Sequence, residues 1–428
     1  MALAIAVYRP ILEIGLLADD FALAEWASSG EVVPRSWPYV RPVQLLVWSI
    51  AASITPVTSL ALTLHVINVA FHAVNAVLAG LLVTRFGMSI GAATAVALMI
   101  VAYPSSVEAV VWPSALADIL LATSTLAALL CAARTRLEPR HLAGIGGLLA
   151  IGLLTKETAV GVAGLFVVAA YVNPLFRRSL SIAAGMSIGF TILYVLGRTV
   201  LLGRPAHPGV NVANLWVLIY QPFAALIWPF HELLVGTHGR LIIGVWMALM
   251  TATMVLAVGS PRNRFRWSGL LAVLAWVLVS VAPTVGLFVI SRDLQGSRYV
   301  YLATVGWVIG LTAIWLPRNV AAREEWLRVG GIALLIIVSV SATRAHQLPW
   351  REAAQLRDTV VDVIDGLPSH CTRVFVLAAP DNVNGAYVAR NGLTEAMRAL
   401  KDREIAFVHA ASDTTPECRI DFSDLAPR

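Results

Sequence analysis

The sequence predicts an all-α polytopic membrane protein with about eleven transmembrane helices, followed by a small C-terminal α/β appendage. Three observations predict this class. Of the 428 residues, 58% are hydrophobic and only 13% are charged, whereas a soluble domain has about 25% charged residues. The apolar residues also fall in long runs separated by short charged loops. After Thr343 these runs stop, and the composition becomes that of a soluble segment.

Eleven apolar runs approach the length of about 20 residues that a membrane-crossing helix needs. Several are shorter, which favours tilted or paired half-spans around a cavity. An additional apolar stretch, 211–234, would place a basic loop on the wrong side if it crossed, so we interpret it as an interfacial or re-entrant helix. The predicted spans are 2–17, 57–83, 89–102, 113–133, 142–154, 159–172, 180–196, 241–258, 269–290, 300–316 and 329–341.

Arginines in alternate loops predict the orientation. The loops of one side carry twelve arginines and three glutamates, and loops rich in Lys and Arg stay in the cytoplasm. The other loops and the tail are then predicted to face outward, which suits a bacterial inner membrane with its active site and tail in the periplasm. The twelve arginines are Arg85, Arg134, Arg136, Arg140, Arg177, Arg178, Arg262, Arg264, Arg266, Arg318, Arg323 and Arg328.

The same distribution accounts for the basic pI of about 9.5. A nucleic-acid-binding protein with this pI would carry a basic patch interleaved with aromatic side chains, and the sequence has no such patch. We therefore predict membrane lipids, and no nucleic acid, among the partners.

The chain is predicted to divide into a transmembrane domain (1–343), a stalk helix (344–367) and a small outer tail (368–428). Within the stalk, apolar residues recur at helical spacing from Leu356 to Leu367. The division follows the change in composition after the last span.

The tail reads as a small α/β unit, with strands predicted at 373–378, 405–409 and 419–422 and a helix at 393–400. Cys371 and Cys418 both lie in it, and Cys131 lies in a span. Three cysteines exclude a disulfide scaffold and a Cys-based metal cluster. An oxidising exterior would favour a Cys371–Cys418 disulfide, with two unpaired thiols as the alternative.

Ionisable residues beside membrane segments are expensive, and here they gather on the predicted outer side. Carboxylates from one loop with Lys and Arg from others suit a site that deprotonates a hydroxyl and neutralises a phosphate leaving group. A transporter more often places such charges near the bilayer midplane. The outer groups are Asp19, Asp20, Glu108, Asp118, Lys156, Glu157, Arg292 and Arg298.

Each of these groups also has a structural interpretation. The two aspartates at 19 and 20 could simply end a helix at the membrane surface. Lys156 and Glu157 could pair with each other in a hairpin between two spans. Arg298, Tyr299 and Tyr301 could anchor a helix at the headgroup level.

A polar face on the second span favours a structural role more strongly. Its members, spaced i, i+3, i+7 and i+10, lie on one side of a helix, where hydrogen bonding between helices is expected. No further ligands complete a metal site around them, so no metal site is predicted, although a divalent cation is left open as a cofactor. The residues are His65, Asn68, His72 and Asn75.

Seven motifs in a fixed order resemble those of the GT-C membrane glycosyltransferases. The resemblance covers roughly residues 8–351 and is strongest to the protein O-mannosyltransferase-like branch that includes the transmembrane-and-TPR enzymes, although no TPR array follows here. The motifs are Asp19-Asp20-Phe21, Tyr39-Val-Arg41-Pro42, His65-x-x-Asn68-x-x-x-His72-x-x-Asn75, Tyr103-Pro104-x-x-x-Glu108-Ala-Val-x-Trp112, Asp118, Leu154-Thr-Lys156-Glu157 and Ser297-Arg298-Tyr299-Val-Tyr301-Leu302.

The resemblance implies an inverting transfer from a polyprenyl-phosphate sugar to a hydroxyl on a protein, lipid or glycan. Asp20, with Asp19 beside it, would then be the catalytic base. The donor phosphate would be bound by Lys156, Arg298 and Arg292. The residues that would orient the substrates are Glu108, Asp118, Arg41, Glu157, Tyr299 and Tyr301.

Two alternatives stay open. One is a lipid-linked-glycan flippase or transporter, which would show a midplane cavity and an internal repeat. The other is a catalytically inactive scaffold with the same fold.

Overall fold

The computed structural model describes residues 1–30, 41–203, 215–230, 237–259, 266–284, 290–291, 293–316, 322–408 and 418–423. Within these ranges the chain forms seventeen α-helices and five short strands. The helices up to the last predicted span are α1 (Ala2–Tyr8), α2 (Asp19–Ser29), α3 (Pro42–Ile54), α4 (Val57–Arg85), α5 (Ile90–Ala102), α6 (Val107–Val111), α7 (Leu116–Ala132), α8 (Pro139–Thr155), α9 (Val162–Val172), α10 (Arg177–Leu202), α11 (Leu215–Ile227), α12 (Thr237–Gly259), α13 (Arg266–Val281), α14 (Tyr301–Trp315) and α15 (Ala322–His346).

The stalk and tail follow as α16, a hairpin, α17 and a three-stranded sheet. Their bounds are α16 (Leu348–Asp365), β1 (Arg373–Leu377), β2 (Asn382–Val383), β3 (Ala386–Tyr387), α17 (Leu393–Lys401), β4 (Ala406–Val408) and β5 (Cys418–Asp421).

Each of the eleven predicted spans contains a helix, but the helices differ in length, and the first span, 2–17, is helical only as far as Ile11. Six helical stretches are long and apolar enough to cross a membrane, and α5 with α6, bent by 54° at Tyr103, adds a seventh if the pair counts as one. The other predicted spans are shorter helices packed among the long ones. The six stretches are Ser59–Arg85, Pro113–Ala132, Pro174–Val200, Gly239–Ala257, Ser297–Trp315 and Glu325–Asp365.

The protein is an integral membrane protein. In the apolar windows of α10 and α12, only 22% and 17% of the residues are buried within the protein. Apolar side chains such as Leu193 (68% exposed) and Val200 (81% exposed) therefore lie on the outside of the bundle. A continuous apolar surface of this kind needs lipid rather than water around it.

Two helices before the second span were not predicted. The predicted spans leave residues 19–42 in an outward-facing loop, whereas in the structure α2 occupies Asp19–Ser29 and α3 begins at Pro42. Pro42 is at the first helical position, where its missing N–H costs nothing. The apolar residues of α2 are spread around the helix and do not form one face, so its sequence carries little helical periodicity.

Prolines place the breaks at which several charged residues lie. Tyr103 and Trp112 both have extended backbone conformations because each precedes a proline. As a result, the buried helix α6 forms a short separate segment between α5 and α7. The interval predicted as an outer loop is therefore packed inside the protein.

The tail contains a parallel sheet with strand order β4-β1-β5. Val374 of β1 lies opposite Phe407 on one side and Cys418 on the other. A disulfide joins Cys371 to Cys418, as one of the two sequence interpretations expected. The predicted strands at 373–378, 405–409 and 419–422 and the helix at 393–400 are present, with ends shifted by one residue within the described ranges, while residue 409 lies outside them.

The tail does not have a hydrophobic core of its own. Val374 and Met397 belong to the same buried cluster as Phe21 of α2, Trp48 of α3 and Val360 of α16. The domain boundaries drawn from composition therefore cross a continuous core.

Candidate active site

Three ion pairs bring together six of the charged residues singled out in the sequence. Arg298 Nη1 lies 2.5 Å from Glu108 Oε1, and Lys156 Nζ pairs with Asp118 Oδ1. The third pair is bidentate: the guanidinium of Arg41 donates to both oxygens of Glu157, at 2.7 and 3.2 Å. The sequence alternative in which Lys156 and Glu157 pair with each other is wrong.

Helix ends hold most of these residues. Arg41 precedes α3, and Asp118 is in the first turn of α7. Lys156, with extended backbone, ends α8, and Glu157 opens the 3₁₀ turn that follows. Arg298 lies in the 3₁₀ turn before α14. The helix dipole favours two of these placements, the carboxylate of Asp118 at the start of α7 and the cation of Lys156 at the end of α8.

Tyr299 lies between two of these pairs. Its ring centroid is 4.6 Å from Lys156 Nζ and 4.7 Å from the Arg298 guanidinium carbon. Arg298 Nη2 also donates to the Tyr299 hydroxyl at 3.1 Å. Lys156 and Arg298, both predicted to hold the donor phosphate, therefore converge on one aromatic ring.

Aromatic rings surround the Arg298 guanidinium. It lies 4.6 Å from a ring of Trp112 and 5.6 Å from the ring of Tyr387, which comes from the tail. Arg298 Nη1 donates to the Tyr387 hydroxyl at 3.1 Å. Burial and the Glu108 carboxylate together raise the pKa of Tyr387 to about 12, so its hydroxyl keeps its proton at neutral pH.

The two predicted catalytic aspartates face different surroundings. Asp20 is completely buried, and it accepts hydrogen bonds from the backbone N–H groups of Leu17 (2.9 Å) and Ser114 (2.8 Å) and from the Ser114 hydroxyl (2.5 Å). Burial raises its pKa from 3.8 to about 7, although these hydrogen bonds lower it. Asp19 is partly exposed and accepts a hydrogen bond from Asn391 Nδ2 at 2.7 Å.

A small cleft opens beside Tyr299. Its polar lining comes from Asp118, Thr158, Ser280 and Thr284, and apolar residues of α9 and α13 complete it. A lining that combines polar and apolar groups is typical of sites that bind amphipathic ligands.

The polar face of α4 has the structural role that the sequence favoured. His65 Nε2 lies 2.9 Å from the Ile14 carbonyl oxygen, and Asn68 Nδ2 donates to the Trp112 carbonyl at 3.1 Å. Tyr301, predicted to orient substrate, belongs to this hydrogen-bonded cluster. Its hydroxyl lies 2.7 Å from His72 Nδ1 and accepts from Asn75 Nδ2 at 3.2 Å. Its place is thus inside the helix bundle and not in the lining of the cleft.

Some predictions lie outside the described residues. Arg292, predicted to bind donor phosphate, is one of them, as is Tyr39 of the second motif. The interfacial or re-entrant helix predicted at 211–234 is described only between 215 and 230, where α11 and the exposed Trp228 lie.

One group of described residues approaches metal-ligand geometry: His370, Cys371 and Cys418. The two sulfur atoms are joined in the disulfide, so they have no thiolate to offer. Within the described ranges, the divalent cation left open by the sequence thus gains no ligand set.

Sequence reasoning missed the contributions of Ser114, Tyr387 and Asn391. Ser114 is two residues after Trp112 and holds Asp20. Tyr387 ends the β2–β3 hairpin, and Asn391 lies four residues further along the chain. Nothing in the local sequence of Tyr387 indicates that it reaches Arg298.

The architecture is similar to that of two solved structures. The structure of ArnT from Cupriavidus metallidurans bound to undecaprenyl phosphate aligns with a TM-score of 0.56 at 12% identity, over 96% of this chain and 85% of that one. The apo structure of the same protein aligns over the same shares, with a TM-score of 0.52 at 13% identity. The chain has the GT-C fold. No protein-family model and no curated protein matches the sequence.

The likeness establishes the fold and does not extend to the O-mannosyltransferase-like branch, to a sugar or to an acceptor.

Proposed function

We propose that this protein is a membrane glycosyltransferase that moves a sugar from a polyprenyl-phosphate carrier to a hydroxyl acceptor at the outer face of the membrane. The observation that carries the proposal is the convergence of Lys156 and Arg298 on Tyr299 beside an amphipathic cleft. ArnT, which has the same fold, binds undecaprenyl phosphate.

The two cations stabilise the leaving group. As the bond between the anomeric carbon and the phosphate oxygen breaks, negative charge grows on the lipid phosphate. Lys156 and Arg298 neutralise that charge in a buried setting, where electrostatic interactions are stronger than in water. Their present partners, Asp118 and Glu108, are then available to hydrogen-bond sugar hydroxyls.

An aspartate takes the proton. The acceptor hydroxyl attacks the anomeric carbon from the face opposite the phosphate, its proton passes to the carboxylate, and the configuration inverts in this single displacement. Asp19 suits this role better than Asp20, which the sequence hypothesis favoured. Both oxygens of Asp20 accept internal hydrogen bonds, whereas Asp19 is partly exposed.

The test uses purified full-length protein with a polyprenyl-phosphate sugar and an acceptor mixture. Asp19→Asn should lower turnover by about 10²–10⁴-fold, because a general base contributes about that much. Its affinity for undecaprenyl phosphate should stay unchanged.

Glu25→Asn is the matched control, because it changes an exposed carboxylate of the same helix that pairs with Arg398. It should keep full turnover. Normal turnover in Asp19→Asn would refute the assignment of the base, and a wild-type protein that binds no lipid phosphate would refute the function itself.

A further inference from the structure

The tail touches the candidate active site at four neighbouring points between Asn384 and Gly392. Tyr387 contacts Arg298, and Asn391 donates to Asp19. Gly385 and Gly392 make the other two contacts, each with the backbone of an outer loop. All four contacts come from one short, continuous segment.

Two glycines allow the tail backbone to come closer to the loops of the membrane domain than any residue with a side chain would permit. Both have positive φ angles, +88° for Gly385 and +78° for Gly392. A Cβ atom at Gly385 would lie 2.6 Å from the backbone oxygen of Asp293, and one at Gly392 would clash with that of Ala18. The tail backbone thus rests directly on the loop before Arg298 and on the residue before Asp19.

The hairpin geometry positions Tyr387. Asn384 and Gly385 form the two-residue connection between β2 and β3, and both have positive φ, as a type I′ turn requires. The ring of Tyr387 stacks 4.4 Å from that of Trp112 and is 6.3 Å from that of Trp350. With the residue only 3% exposed, its hydroxyl has a defined position beside Arg298.

We propose that the tail segment 384–392 is a positioning element of the active site, in which Tyr387 orients the phosphate-binding Arg298 and Asn391 orients Asp19. This inference rests on the proposed function and adds two positioning residues from a part of the chain outside the helix bundle. A tail serving only as a structural cover would not need polar contacts to the two groups assigned to chemistry.

The roles of the two contacts differ. Arg298 binds the donor phosphate, so loss of the Tyr387 hydroxyl lowers affinity for the lipid phosphate and leaves the chemical step nearly unchanged. Asp19 receives the acceptor proton, so loss of the Asn391 amide lowers kcat and leaves lipid-phosphate binding unchanged. Side chains that are already held in the productive orientation raise the affinity or the rate, because no conformational entropy is lost in ordering them when substrate binds.

The first arm of the test measures undecaprenyl phosphate binding to the full-length protein in detergent, for example through tryptophan fluorescence. Tyr387→Phe keeps the ring that packs on Trp112 and removes only the hydroxyl. We expect about tenfold weaker binding, the effect of one hydrogen bond to a charged group, with an unchanged unfolding temperature.

The second arm measures kcat with a donor sugar that the wild type turns over. Asn391→Ala should lower kcat about tenfold at an unchanged Kd for undecaprenyl phosphate, the effect of one lost hydrogen bond to a charged group. Arg398→Gln is the matched control, since it breaks the contact between the tail and Glu25 without touching Arg298 or Asp19. It should change neither quantity.

The outcomes separate the two proposals. If the wild type binds lipid phosphate and Tyr387→Phe binds it equally well or more tightly, the positioning role of Tyr387 is wrong while the proposed function stands. Equal losses in Arg398→Gln would show that the tail acts only as a cover. If the wild type binds no lipid phosphate, the proposed function fails, and this inference fails with it.

Discussion

Lys156 forms its ion pair with Asp118 while the lysine side chain is only 2% exposed and the aspartate side chain 10%. A charge so deeply buried is tolerated only with a counter-ion, and loss of one partner from a buried pair costs about 3–5 kcal/mol. The pair also shows what an incoming phosphate meets. In the proposed reaction, the lipid phosphate would replace Asp118 as the counter-ion of Lys156.

Asp118→Asn should therefore lower the free energy of unfolding by a few kcal/mol, because Lys156 then lacks its counter-ion. A bound lipid phosphate supplies a replacement anion, so undecaprenyl phosphate should raise the unfolding temperature of this variant more than that of the wild type. Thermal unfolding in detergent, with and without the lipid, measures both effects.

The control for Asp118→Asn is Glu138→Gln, which breaks the exposed pair with Arg140. Exposed pairs contribute about 0–1 kcal/mol, so this variant should behave like the wild type. Equal stabilisation of all three proteins by the lipid would contradict a competition between Asp118 and phosphate for Lys156.

The Arg41–Glu157 pair should depend on its geometry as well as on its charge. Arg41→Lys keeps the positive charge but cannot donate to both carboxylate oxygens, as the guanidinium does. We expect a loss of about 1–2 kcal/mol in the free energy of unfolding. Arg140→Lys, at the exposed pair, should cost almost nothing, and equal effects of the two substitutions would show that the bidentate geometry contributes little.

Asp20 should make the stability of the protein depend on pH. Because burial raises its pKa from 3.8 to about 7, the folded state holds a proton on this carboxyl that the unfolded state releases. Its contribution to stability is thus complete below pH 3.8 and is lost as the pH rises to about 7.

The measurement for Asp20 is the difference in unfolding temperature between the wild type and Asp20→Asn across about pH 4–8, the interval that spans the two pKa values. As the pH rises, the unfolding temperature of the wild type should fall relative to that of Asp20→Asn. Above about pH 7 the difference should become constant. A constant difference would mean that Asp20 has the same pKa in the folded and unfolded states.

The disulfide should stabilise the tail. Cys371 and Cys418 are 47 residues apart, and closing a loop of that length is worth about 4 kcal/mol in the chain-entropy model. Cys418→Ser should make the tail more sensitive to limited proteolysis, with cleavage after β1 increased. Cys131→Ser, at the free cysteine in α7, should leave the pattern unchanged. Identical digestion of all three proteins would argue against a stabilising bond.

Much of the helical architecture was predictable because a membrane imposes it. A spanning segment must satisfy its backbone hydrogen bonds internally and present apolar side chains, and both demands appear in the sequence as long apolar runs. Helices α2 and α3 were missed since neither fits that rule: α2 has almost no amphipathic periodicity, and α3 has 13 residues. The tail strands were predictable from their apolar runs and turn residues.

The candidate site was only partly predictable. The residue types and their order led to a set of candidate groups, and six of the charged ones form the three ion pairs. The surroundings of each group could not be predicted from the sequence. Asp19 and Asp20 are adjacent in the sequence, and only the side of α2 on which each lies makes one partly exposed and the other buried. The same applies to Tyr387, whose contact with Arg298 spans 89 residues of sequence.

The sequence by itself determined the membrane class, most of the helices, the α/β character of the tail and the set of charged residues at one site. Composition and periodicity are local properties, and these features depend on nothing else. The tertiary structure alone decided which carboxylate neutralises which cation, over separations of 38, 116 and 190 residues, and that the tail supplies a side chain to the site. An ion pair requires atoms within about 4 Å, and that distance depends on how helices far apart in sequence pack together.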